Sequence, residues 1–155
     1  AKMSKSLGNC IYLSDEEADV KNKVMSMFTD PNHLRVEDPG RVEGNPVFIY
    51  LDAFSRPEHF AEFLPEYQNL DELKAHYQRG GLGDVKVKKF LNNVMQAELG
   101  PIRERRKMWE QRTEDVFDIL KAGTEVAREK AAATLHDVRS SMRINYFEDQ
   151  DFLNQ

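Results

Sequence analysis

Lys2 and Lys5 stand near the start of the chain, separated by two residues, with Ser4, Ser6, Gly8 and Asn9 around them. Each ammonium is a compact point charge suited to phosphate oxygens. The serines, the glycine and the asparagine favour a turn and add hydroxyl, amide and backbone donors that could cradle an anion. Where pyrophosphate leaves in a nucleotidyl transfer, such a loop would stabilise the negative charge that develops. The alternative is a solvated basic terminus, the usual fate of Lys/Ser-rich ends.

A second basic group follows Pro101: Arg103, Arg105, Arg106 and Lys107. With Pro101 at the start of a helix, these charges oppose the macrodipole and cost a few tenths of a kcal/mol each, roughly. Some other use must compensate, and two are open: pairing with nearby acids, or contact with RNA phosphate. Residues 80–112 carry eight Lys/Arg against four Asp/Glu, whereas residues 31–79 and 113–155 each carry five against nine. An acidic body with one basic stripe suits a nucleic acid gripped locally. Ordinary solvated helix faces with intrahelical pairs account for it equally well.

The elements that must position these residues read as helices. Ser14-Asp15-Glu16-Glu17 has the form of a capping box, opening a helix to about Phe28 that ends before Pro31. Residues 30–45 form the longest loop, and Asp38-Pro39-Gly40 within it is a turn. Pro46 after Asn45 opens a short helix through Phe54, Pro57 opens another through Phe63, and Asn69 opens a third that ends at Gly80-Gly81. Val87, Phe90, Leu91, Val94 and Met95 then mark an amphipathic helix ending near Leu99-Gly100. Pro101 is expected to start a separate helix, burying Ile102, Trp109, Val116, Phe117 and Leu120 and stopping at Gly123. A last helix from Thr124 is expected to bury Ala127, Ala131, Leu135, Val138 and Met142. Short turns imply antiparallel neighbours, so the fold class is all-α: an antiparallel helical bundle over residues 11–147, with a flexible N-terminal loop over 1–10 and a polar tail over 148–155.

Composition narrows the function classes. A length of 155 residues is about one domain, with net charge −5 and 32% charged residues. No apolar run approaches membrane length. The single Cys10 cannot form an internal disulfide, which fits a reducing, cytoplasmic setting. One cysteine and four scattered histidines (His33, His59, His76, His136) show no metal-ligand spacing, so no metal site is expected and the histidines read as surface or capping residues. Trp109, Met25 and Met27 read as packing residues.

Lys2-Met3-Ser4-Lys5-Ser6 is also the KMSKS signature of class I aminoacyl-tRNA synthetases. After it come Leu7-Gly8-Asn9-Cys10, Met25-Ser26-Met27-Phe28, Asp38-Pro39-Gly40, Val47-Phe48-Ile49-Tyr50 and Pro101-Ile102-Arg103-Glu104-Arg105-Arg106. In this order they resemble the C-terminal part of the bacterial tryptophanyl-tRNA synthetases, from residue 2 to about residue 147. No His-Ile-Gly-His-type motif and no βαβ pattern accompany them, so the chain is expected to be the back part of a larger protein. The resemblance implies a helical anticodon-binding domain within a homodimeric enzyme that activates tryptophan with ATP, and Mg2+ beside it, and charges tRNA(Trp). It further implies that Lys2 and Lys5 are catalytic, that Lys2, Met3, Ser4, Lys5 and Ser6 bind ATP, and that Arg103, Arg105, Arg106 and Lys107 are candidates for tRNA. A stand-alone helical RNA-binding or protein-interaction module that retains the loop is the other class of function to weigh.

Overall fold

The computed structural model describes residues 4–146. Lys2, Met3 and the expected tail over 148–155 lie outside the described residues. Those described form a short 3-10 turn over Lys5–Leu7 and six helices: α1 Glu17–Met25, α2 Pro46–Phe54, α3 Pro57–Phe63, α4 Leu70–Arg79, α5 Asp84–Glu110 and α6 Thr113–Met142. None of the described residues is in a strand, and the all-helical fold class holds. The chain divides into two compact units, Ala1–Lys107 and one that begins at Met108.

Three of the helices begin where local chemistry places them. Asn45 accepts from the Val47 amide ahead of Pro46, and Asn69 accepts from the Glu72 amide, so each asparagine satisfies an orphan donor of the first turn. Pro57 opens α3, where the Arg56 amide donates to His59 Nδ1 at 3.2 Å. α4 stops at Gly80, whose φ of 88° a side chain would resist. A Cβ there would also lie 2.2 Å from the Glu37 carbonyl oxygen. Gly40 is required for space instead, since a Cβ would sit 2.2 Å from the Tyr77 ring. Two backbone bonds, Gly40 to Tyr77 and Gly81 to Val36, complete this close seating of the 36–40 loop on the end of α4.

The core of the first unit lies among α1, α2, α3, α4 and the first half of α5. Val20, Leu51, Leu73, Leu91 and Val94 are fully buried there. Phe60 meets Phe90 with ring centroids 4.7 Å apart, and Phe48 meets Tyr77 at 4.9 Å. Aromatic rings meeting obliquely at these distances are a favoured packing geometry.

Several expectations fail, each for a physical reason. The Ser14 capping box does not form. Asp15 accepts from the Tyr12 amide and pairs with Lys23, which holds residues 12–15 in a turn, and α1 starts at Glu17. That helix stops at Met25 rather than Phe28, because Lys88 draws in the Met25 and Met27 carbonyls. Pro101 does not open a new helix but lies inside α5, where losing one amide donor is tolerated. Gly123 does not end a helix, and none starts at Thr124. α6 runs through both to Met142 and closes on Arg143 in the left-handed region, φ 56°. The second unit buries none of the apolar residues expected of it. Phe117, Leu120, Leu135, Val138 and Met142 are exposed, as are Ala127 and Ala131, Val116 is half-buried, and Trp109 is 36% exposed. An amphipathic helix buries its stripe only against a partner element, and the described residues of this unit offer α6 none.

Candidate functional site

The signature loop is built by its own small polar residues. Ser4 caps the 3-10 turn, its hydroxyl accepting from the Leu7 amide at 3.3 Å, while its own amide donates to Asn9 Oδ1 at 2.9 Å. Ser6 Oγ lies 3.2 Å from Ser4 Oγ. Gly8 closes the turn at φ 64°, with its N–H on the Lys5 carbonyl. Lys5 is exposed at the tip and engages no partner among the described residues. The Ser4 hydroxyl and the Ser4, Leu7 and Gly8 amides are spent within the turn, which leaves Lys5 as the exposed charge on it.

Asn9 also lines a cavity of about 740 Å³ with Lys23, Phe28, Pro46, Ile49 and Tyr50. Its walls are mainly apolar. The one cation in it is committed, since Lys23 pairs with Asp15 at 2.5 Å and lies 4.8 Å from the centre of the Tyr12 ring.

The basic cluster after Pro101 separates into two faces of α5. At about 100° per residue, Arg105 lies roughly 200° round the helix from Arg103, whereas Lys107 lies only about 40° away. Arg103 donates to Gln96 Oε1 at 2.7 Å, and Gln96 in turn reaches the Glu17 carbonyl. Lys107 meets Glu16 at 3.3 Å. Both therefore brace α5 against the start of α1. Arg105 is exposed and has no partner among the described residues, and Arg106 is exposed as well. Earlier on the same helix Lys86 pairs with Glu66 at 2.6 Å, a bond that raises the lysine pKa and lowers that of the carboxyl.

Two polar features escaped the sequence reading. Lys88 is buried, donating to the Met25 and Met27 carbonyls at 3.1 and 2.6 Å and to Thr29 Oγ1 at 2.9 Å. Burial pushes its pKa down. The signal was present, since residue 88 falls at i, i+3, i+7 with Leu91 and Met95, in the apolar stripe. His33 is buried too, not the surface or capping residue expected. Its Nδ1 lies 2.7 Å from Asp84 Oδ2, and the Tyr77 hydroxyl donates to Asp84 Oδ1 at 2.7 Å. Burial, reinforced by that carboxylate, pushes the Tyr77 pKa well up. This network ties the 30–45 loop to the first residue of α5. It offers no open face for chemistry, and no group of three His, Cys, Asp or Glu among the described residues could hold a metal ion. None of the described helices is long and apolar enough to cross a membrane.

Comparison with known proteins supplies the context for this arrangement. The chain is 58% identical over 147 residues to the tryptophan–tRNA ligase of Clostridium longisporum, covering 95% of this chain and 40% of that protein. It is 54% identical to that of Streptococcus pyogenes serotype M1, again over 95% of this chain and 41% of the other. The crystal structure of tryptophanyl-tRNA synthetase from Campylobacter jejuni superposes with a TM-score of 0.71 at 26% identity, over 92% of this chain and 42% of that one. A further structure of the Campylobacter protein, also at TM-score 0.71 and 26% identity, covers 92% of this chain and 41% of its own and is complexed with ADP and tryptophan. The chain thus spans about two fifths of the length of these relatives. The profile of the class I tRNA synthetases (W and Y) matches residues 1–100. With the signature lysine loop, the all-helical fold and this match over nearly two thirds of its length, the chain belongs to the class I tRNA synthetases of the tryptophan and tyrosine type.

Proposed function

We propose that this chain forms the part of a tryptophan–tRNA ligase that carries the lysine loop and the helices facing tRNA. The observation that carries the reading is the 58% identity to a tryptophan–tRNA ligase over 95% of the chain. In the complete enzyme, tryptophan attacks the α-phosphorus of ATP, pyrophosphate leaves, and the activated amino acid passes to tRNA(Trp). Lys2 and Lys5 would meet the phosphates as charge builds on pyrophosphate. Met3, Ser4 and Ser6 would shape the loop beside the nucleotide. ADP in a related structure supports an adenine nucleotide as the ligand. Mg2+ would arrive with ATP. The complete protein is read as a cytoplasmic homodimer, and residues 11–147 as its tRNA-binding helical domain. Of the basic cluster, Arg105 is the candidate best placed for RNA phosphate, being exposed and without a partner among the described residues. Arg103, Arg106 and Lys107 would contribute by exchanging their present partners.

The family covers tryptophan and tyrosine enzymes, so the deciding experiment compares the two amino acids. The full-length gene product should exchange labelled pyrophosphate into ATP with tryptophan and stay at background with tyrosine. Exchange with neither amino acid, together with retained RNA binding, would instead identify a helical RNA-binding module.

A further inference from the structure

No apolar burial holds the signature turn in shape. Lys5–Leu7 is a single 3-10 turn with none of its residues buried. One such turn has poor hydrogen-bond geometry and is marginal by itself. Its order rests on hydrogen bonds, and among the described residues three of them engage backbone amides. The Gly8 amide donates to the Lys5 carbonyl at 3.1 Å, and the Leu7 amide to Ser4 Oγ at 3.3 Å. Both lie within the turn or at its cap. The third has a longer reach, since the Ser4 amide donates to Asn9 Oδ1 at 2.9 Å, five residues on. It is the shortest of the three, and it ties the start of the turn to a residue beyond its end. Gly8 makes the return possible, because its φ of 64° reverses the chain just before Asn9. An asparagine side chain is short enough to bond nearby backbone in this way without a neighbouring element to support it.

We propose that Asn9 is the positioning residue for Lys5. Its amide oxygen clamps the turn closed, so that the exposed ammonium meets the nucleotide phosphates with its backbone already set. The inference rests on the reading that Lys5 acts on ATP, and it adds the residue that places that charge. A charge held in place beforehand costs no reorganisation as pyrophosphate leaves, whereas a loose one must be ordered at that moment. The loss should therefore appear in the activation rate. One exposed hydrogen bond carries a modest factor, so the effect should be far smaller than loss of the ammonium itself. Tryptophan binding, which the turn does not serve, should be unaffected.

Pyrophosphate exchange by the full-length gene product reads this out. Asn9→Ala should lower the maximal rate of tryptophan-dependent exchange by about fivefold, with KM for tryptophan unchanged. In a Lys5→Ala background the same change should cost less than about twofold, because a residue that acts through Lys5 then has nothing left to position. Asn93→Ala, at an exposed asparagine of α5, should alter neither value. In the 155-residue chain, NMR should show the Ser4 amide exchanging about fivefold faster in Asn9→Ala and regaining protection in Asn9→Asp, whose carboxylate still accepts. That measurement needs no catalysis, so the clamp stays testable where a variant of the full enzyme fails to fold. An activation rate or a Ser4 amide that Asn9→Ala leaves unchanged would overturn the positioning role and leave the ligase reading standing. So would a rate loss that persists in full beside Lys5→Ala. Absence of tryptophan exchange in the unmutated enzyme would overturn the ligase reading and this inference with it.

Discussion

At the scale of single residues, the difference between Lys5 and Lys88 lies in what surrounds each ammonium. Lys5 sits on an exposed turn with no partner among the described residues, so its charge is available to a ligand. Lys88 has three oxygen partners inside the fold, so its charge is spent on closing α1. The two substitutions should therefore read out in different assays. In the full-length enzyme, Lys5→Ala should lower the tryptophan activation rate by about a hundredfold, the cost typical of losing one preorganised contact to developing charge. Apparent ATP affinity should change much less, and a mutant altered only in that affinity would show the lysine to be a uniform binder. Lys88→Met should leave nucleotide chemistry aside and destabilise the 155-residue chain by about 2 kcal/mol, measured by urea unfolding, because two carbonyls and a hydroxyl lose a charged donor.

Elements come next, and here the 30–45 loop and α5 carry the testable content. Asp30 anchors the loop by accepting from the Asn32 and Arg41 amides at 2.9 and 3.0 Å. The Asn32 bond is the main cause holding its pKa below the ordinary 3.8, with Arg41 and His33 adding to it. A carboxyl with a depressed folded pKa contributes stability that is complete above its unfolded value and is lost as pH falls through the folded one. Acidification below about pH 4 should thus loosen this loop, and Asp30→Ala should both lower the melting temperature at pH 7 and flatten the acid limb of the stability profile. An unchanged acid limb would assign that limb to other carboxylates. On α5, charge reversal at Arg105 should weaken tRNA binding and reduce the salt slope by about one contact, without affecting tryptophan activation. Reversal at Arg103 should instead lower thermal stability, since its guanidinium is bonded to Gln96 and an end of it is buried.

For the whole molecule, the decisive fact is coverage: this chain spans about two fifths of relatives that are whole ligases. Activation requires ATP and tryptophan to be held together, and about three fifths of the relatives' length lies outside this chain. Residues 1–155 expressed alone should therefore show tryptophan-dependent pyrophosphate exchange at background. Clear turnover by that purified chain would refute the reading that activation needs the rest of the relatives' length.

Residue order by itself determined a good deal of this protein. The five-residue signature and the motifs spaced behind it were enough to indicate the family. Asn45-Pro46, Pro57, Asn69 and Gly80 set the ends of α2, α3 and α4, because capping is a contest for backbone hydrogen bonds settled within one turn. The Val87–Met95 spacing marked the buried face of α5 for a similarly local reason, the period of the helix. Tertiary structure alone decided what depends on distant partners. It drew Asp15 into a turn with Tyr12 ahead of α1 in place of a Ser14 cap, because Lys23 is there to pair with it. It buried Lys88 and His33, because their acceptors are about sixty and fifty residues removed in sequence. It also left the apolar stripe of α6 uncovered and Gly123 inside a continuous helix. Periodicity tells which face of a helix is apolar, and only the packing of the folded chain tells whether anything covers it.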